Sequence, residues 1–96
     1  MIDGNVYDFL DKLYYEDHYV IYNNEKYFFN GCQSRISPDG KVMSVRLEIY
    51  NLSTDKTVFS VTKASASECI EALEDALIWN GKSFWDIEKF MKWVDD

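Results

Sequence analysis

A chain of 96 residues has room for one small domain, and its 47% hydrophobic and 17% aromatic content supplies the apolar mass for one core, which excludes intrinsic disorder. Ten Lys and Arg against 17 Asp and Glu leave a net charge of −7, so bulk electrostatics disfavour phosphates, membranes and nucleic acid as direct partners. No apolar run approaches the ~18 residues of a membrane span. The opening MIDGNVYDF lacks the basic and apolar regions of a signal peptide, so the cytoplasm is the expected location.

Val6 to Glu16 reads as the first helix. Val6, Phe9, Leu10, Leu13 and Tyr14 recur at the spacing of one buried stripe, and Asp3 or Asn5 can cap the first turn. The period then changes. Tyr19-Val-Ile-Tyr22 is β-branched and aromatic, and Asn23-Asn24 supplies two residues that tolerate positive φ, as a tight hairpin requires. A second strand starts at Tyr27-Phe-Phe29 and runs to about Ile36.

Ser37-Pro38-Asp39-Gly40 is the clearest turn in the chain, with Pro suited to a type I turn and Gly to the left-handed position that ends it. Counting outward from it puts Met43, Val45, Leu47 and Ile49 on one face of the third strand and Val42, Ser44, Arg46, Glu48 and Tyr50 on the other. The apolar set predicts a sheet covered on one side. The same count makes Tyr27 and Tyr50 cross-strand neighbours on the less buried face, with Phe29 near them. Ser53-Thr54-Asp55-Lys56 makes a third turn before strand Thr57–Val61.

Ser65 or Ser67 then caps a helix over 66–79, with Ala66, Ile70, Leu73 and Leu77 as its stripe and Asn80-Gly81 as its stop. Ser83 and Asp86 form a capping box that opens a last helix to about Val94, whose stripe is Ile87, Phe90, Met91 and Val94. The expected fold class is α+β: a single two-layer domain over residues 1–96, α-ββββ-αα, with an antiparallel meander sheet packed against helices.

Charge is segregated along the chain. Residues 1–18 carry Asp3, Asp8, Asp11, Glu16 and Asp17 against Lys12. Residues 64–96 carry Glu68, Glu71, Glu74, Asp75, Asp86, Glu88, Asp95 and Asp96 against Lys82, Lys89 and Lys92. Between them, Glu25, Asp39, Glu48 and Asp55 are outnumbered by six bases, so the negative charge is on the helices. Glu68, Glu71 and Asp75, with Glu74 beside them, share one helix face and repel each other by about 0.2–0.5 kcal/mol per pair. Lys82 is the only nearby base in this reading. Such a row either solvates an outer face or presents carboxylates to a basic protein groove, as nucleic acid presents phosphates.

Few residues suggest chemistry. His18, the only histidine, falls at a helix–strand junction beside two acids, where a solvated side chain is the plain expectation. There is no HExxH, no Cys/His zinc spacing and no glycine-rich phosphate loop. The reading is therefore non-enzymatic, with no catalytic residues, metal or cofactor. Cys32 and Cys69 are expected free, with a disulfide as the alternative. Trp85 points away from the last helix's stripe and Trp93 to its flank. Either Trp85 folds back over Trp79 and the Asn80-Gly81 corner, or Trp85 or Trp93 is an exposed anchor for a partner, since Trp and Tyr are enriched in interface hot spots. The αβββα order is also similar to double-stranded-RNA-binding domains, but Ser67-Glu68 stands where those need basic residues.

The closing stretch ECIEALEDALIWNGKSFWDIEKFMKWVDD resembles small acidic proteins carried by phages and mobile elements of Gram-positive bacteria. In size, acidity and a sheet followed by two acidic helices, the chain also resembles anti-CRISPR inhibitor proteins. The resemblance implies a DNA mimic acting in the host cytoplasm on a basic, nucleic-acid-binding enzyme. From the charge pattern, the partner-binding candidates are Glu68, Glu71, Glu74 and Asp75, then Asp8 and Asp11, with Trp85 and Trp93 as aromatic anchors. The alternatives are an immunity protein against a nuclease toxin and a phage structural or assembly protein binding through exposed aromatics.

Overall fold

Two asparagines in the left-handed region close the first hairpin: Asn23 and Asn24 have φ of 55° and 64°, the geometry of a two-residue turn whose twist matches its strands. In a computed structural model that describes residues 2–94, this hairpin joins β1 (His18–Tyr22) to β2 (Glu25–Ile36). Strands β3 (Val42–Asn51) and β4 (Lys56–Lys63) continue the antiparallel meander. The Ser37–Gly40 turn forms as expected, with the Gly40 amide donating to the Ser37 carbonyl at 2.9 Å and Gly40 at φ 86°.

The helices α1 (Val6–Lys12), α2 (Ala66–Asp75) and the one-turn α3 (Phe84–Ile87) cover one face of the sheet. The fold is α+β in two layers. The core joins Phe9 of α1, Ile70 and Leu73 of α2 and Phe84 of α3 to Val20, Phe29, Val45, Leu47 and Ile49 of the strands. Phe9 is its hub, with ring centroids 5.3 Å from Phe29, 6.1 Å from Phe84 and 5.3 Å from Trp93. No helix among the described residues is long and apolar enough to cross a membrane.

Several expectations are corrected. Helix α1 stops at Lys12, and Tyr14 is 38% exposed, its hydroxyl 3.3 Å from Ser67 Oγ. Asn5 is the N-cap residue without a side-chain cap bond, and the alternative cap, Asp3, lies outside the described side chains. His18 is fully buried rather than solvated, its ring 4.7 Å from Phe9 and 4.8 Å from Trp93.

Met43 is exposed, because it is the extra residue where the β2–β3 register shifts between Arg35–Ser44 and Ile36–Val42. The five-residue loop and the bulges also displace the simple count by one. Phe28, not Tyr27, pairs with Tyr50, and Tyr27 and Phe29 turn into the core, where the sequence count had placed Tyr27 outside.

Helix α2 ends at Asp75, four residues short of the expected stop, and Leu77 is exposed. Ala76 is extended, which swings Trp79 down among Tyr22, Tyr27 and Phe29. Burying a tryptophan is worth about 4–6 kcal/mol, more than one further helical turn returns. Asn80-Gly81 is then a tight turn inside a Trp79–Lys82 bridge, at φ 54° and 80°. The last helix is likewise short. After a 3-10 turn (Glu88–Phe90), β5 (Lys92–Trp93) adds a fifth strand beside β1, in the order β4-β3-β2-β1-β5. A strand edge offers unpaired amides and carbonyls, so the apolar closing segment pairs there instead of staying helical; Phe90 is exposed and Val94 only half-buried.

Candidate interaction surfaces

The four acids read as one row on α2 separate into two pairs with different tasks. Ser65 Oγ accepts the Glu68 amide, and the Glu68 carboxylate accepts the Ser65 amide at 3.1 Å, a reciprocal cap that ties Glu68 to the helix start. Glu74 accepts the indole N–H of Trp85 at 3.1 Å. Glu71 and Asp75 remain exposed and line a shallow groove of about 280 Å³ with Lys63, Glu68 and Ala72. Among the described residues no ion pair involves either acid. The base beside this row is Lys63, at the end of β4; the expected Lys82 belongs to the Trp79 turn. Lys63 stands two residues before the N-cap Ser65, so its place beside the helix start was legible in the sequence.

The N-terminal acids lie on the same layer. Asp8 pairs with Lys12 at 3.3 Å; Asp8 and Asp11 are exposed and Lys12 is half-buried. The N-terminal segment meets the other helices at two points, the loop after α1 on α2 and α1 itself on α3. Tyr14 contacts Ser67 at one end, and at the other Tyr7 stacks obliquely on Trp85 at 5.9 Å, which itself holds Glu74. Tyr7 is 72% exposed and Trp85 is 40% exposed, so the acids share a surface with two open rings. Trp85 does not fold over Trp79 but packs on Tyr7 and Phe84. Trp93 is half-buried, edge-on to Phe9 and His18, with Lys12 Nζ 5.7 Å from its ring centre. Sequence reasoning missed Tyr7, although it lies outside the apolar stripe of α1 and was legible as an exposed aromatic.

The titratable side groups are explained by burial and capping. Both cysteines are free; Cys69 Sγ donates to the Val45 carbonyl at 3.2 Å. Burial, reinforced by Cys69, pushes the Cys32 thiol up to about 11. Burial also raises Tyr27, with Glu25 and Tyr22 adding to it. Hydrogen bonds from the Ser83 amide and hydroxyl hold the Asp86 carboxyl below its ordinary range. No group of three His, Cys, Asp or Glu among the described residues could hold a metal ion. Comparison with known proteins finds no matching family model, no similar curated protein and no similar solved structure.

Proposed function

We propose that the protein is a non-enzymatic inhibitor that docks its acidic helical layer on a basic, nucleic-acid-binding surface of a host defence nuclease, in the cytoplasm of the cell that carries it. One observation supports this reading above others: Glu71 and Asp75 stand exposed and outside any ion pair among the described residues, on a helix whose other two acids are taken up by capping and by Trp85. Carboxylates kept on one helix side in spite of their repulsion suit a partner groove lined with Lys and Arg. Tyr7 and Trp85 at the margin add flat, apolar area of the kind that anchors an interface core.

An immunity protein against a nuclease toxin would use the same surface and differs only in its target. The exposed Tyr7–Trp85 pair favours a second reading, an assembly protein for which the acid is only solubilising.

The deciding experiment is affinity capture on the tagged chain, with washes at low and at about 0.5 M salt, where charges more than a few ångströms apart are screened. The inhibitor reading expects a nucleic-acid-handling enzyme that is released by salt, is inhibited by the pure protein, and binds the double variant Glu71→Lys/Asp75→Lys at least tenfold more weakly. A partner that resists salt and ignores the double variant would transfer the function to the aromatic pair.

A further inference from the structure

Among the described residues no helix covers the sheet's second face, and the strand register gives that face a character unlike the rest of the molecule. Tyr19, Phe28 and Tyr50 are direct cross-strand partners on β1, β2 and β3. They form one row of three half-buried rings, with Tyr19 and Phe28 centred 5.0 Å apart. Toward the Ser37–Gly40 end of the same face, Gln33 pairs with Arg46, Arg46 with Thr62, and Arg35 with Ser44. With Ser34 these residues line an open cleft of about 330 Å³ whose charged groups are two guanidiniums.

Register also sets Lys26 and Lys92 on this face, through their pairing with the 39% exposed Ile21. Lys26 Nζ lies 4.9 Å from the centre of the Tyr19 ring. Against these four cations stands Glu48, held to Arg46 Nε at 3.3 Å, while Asp55 at the margin accepts the Tyr50 hydroxyl. The Arg46 side chain stays 54% exposed in spite of its pairing. A chain of net charge −7 therefore keeps a cationic, aromatic face on the side opposite its acidic helices.

We propose that this sheet face binds single-stranded nucleic acid, with bases stacked on the Tyr19–Phe28–Tyr50 row and backbone phosphates paired with Arg46 and Arg35. Rings on adjacent strands of an open sheet offer unpaired bases a stacking platform, and every base has a π-face to give. A duplex keeps its bases inside and meets this shallow face with its backbone alone. The net charge, which argues against nucleic acid when the sequence is taken whole, resides on the other layer, and salt screens it beyond a Debye length of about 8–10 Å. An acidic peptide would satisfy the arginines but would leave the aromatic row without a matching group. The proposal is independent of the inhibitor reading, because it uses the opposite face.

Fluorescence anisotropy of labelled twelve-nucleotide oligo-dT and oligo-U, each against the wild-type protein, tests it; a difference between the two arms tells DNA from RNA. The expected result is saturable micromolar binding to at least one, with a log–log salt slope of about −1.4 for two phosphate contacts. Phe28→Ala should weaken binding about tenfold or more, as loss of one stacking ring does. Arg46→Glu, at an exposed site that folding does not need, should weaken it comparably and serves if Phe28→Ala unfolds. Glu71→Lys/Asp75→Lys should leave binding as strong or stronger. No binding at 100 μM protein, or binding indifferent to both sheet variants, overturns the proposal. So does a duplex or polyglutamate that competes as well as the single strand, or self-association that buries the face at these concentrations.

Discussion

Gly31 lies so close to Glu16 that a Cβ at position 31 would stand 2.3 Å from the Glu16 carbonyl oxygen. The contact joins the loop after α1 to the bulge of β2, where the register shifts between Asn30 and Gln33. The Gly31 amide donates to Asp17 Oδ1 at 2.8 Å and the Cys32 amide to the Leu13 carbonyl at 2.9 Å, so the loop satisfies donors that the bulge withholds from the ladder. Backbone cannot move aside as a flexible side chain can. Gly31→Ala is accordingly expected to lose about 3 kcal/mol, the upper end for overpacking, and Asp17→Ala about 1 kcal/mol, both read by urea denaturation.

The aromatic hub gives a second prediction. Phe9 is fully buried and touches rings from the strands, from α3 and from the closing segment. Phe9→Ala should cost about 3–5 kcal/mol, a large share of the 5–15 kcal/mol that holds a typical domain. Thermal melting followed by near-ultraviolet circular dichroism would register it as a collapse of the tertiary signal.

Thiol chemistry supplies the third. With Cys32 pushed up to about 11 by burial and Cys69 also raised by burial, alkylation by iodoacetamide at pH 8 should be far slower in the native protein than in urea. A group raised in the folded state contributes its full stability below its ordinary value of 9.0 and loses it as pH climbs through about 11. Unfolding free energy should therefore decline across that window, and Cys32→Ala should flatten the decline at its lower end, before Tyr27 begins to titrate.

The caps give the fourth. Ser65→Ala and Ser83→Ala each remove a side-chain acceptor from a helix start and should each cost about 1 kcal/mol in chemical denaturation. Asp86 is depressed by the bonds it accepts from Ser83, so its contribution is present above the ordinary carboxylate range and is lost as pH falls through its lower folded value. Acid titration of stability should show this limb in the wild type and a smaller one in Asp86→Asn, where the depressed Asp39, bonded by Ser37 and the Lys41 amide, still contributes.

Local chemistry in the sequence determined much of this molecule. The Asn23-Asn24 hairpin, the Ser37–Gly40 turn, the Ser83–Asp86 capping box and the apolar alternation of Val45, Leu47 and Ile49 were legible because each depends on residues a few positions apart, and the cap of α2 was narrowed to Ser65 or Ser67. The two-layer α+β class followed from those elements, and so did the concentration of acid on the helices.

What the tertiary structure decided depends on distant partners. Trp79 leaves the helical pattern because Tyr22, Tyr27 and Phe29 offer it a larger burial, and Trp93 does so because β1 has an open edge. Bulges decide that Phe28 rather than Tyr27 faces outward, since one added residue exchanges the two faces of a strand. Within the acidic row the Glu68 cap is local, three residues from Ser65, but the capture of Glu74 by the Trp85 indole is equally tertiary. Helical spacing orders carboxylates around an axis, but only the packing of α1, α2 and α3 settles which of the others meets a donor and which meets solvent.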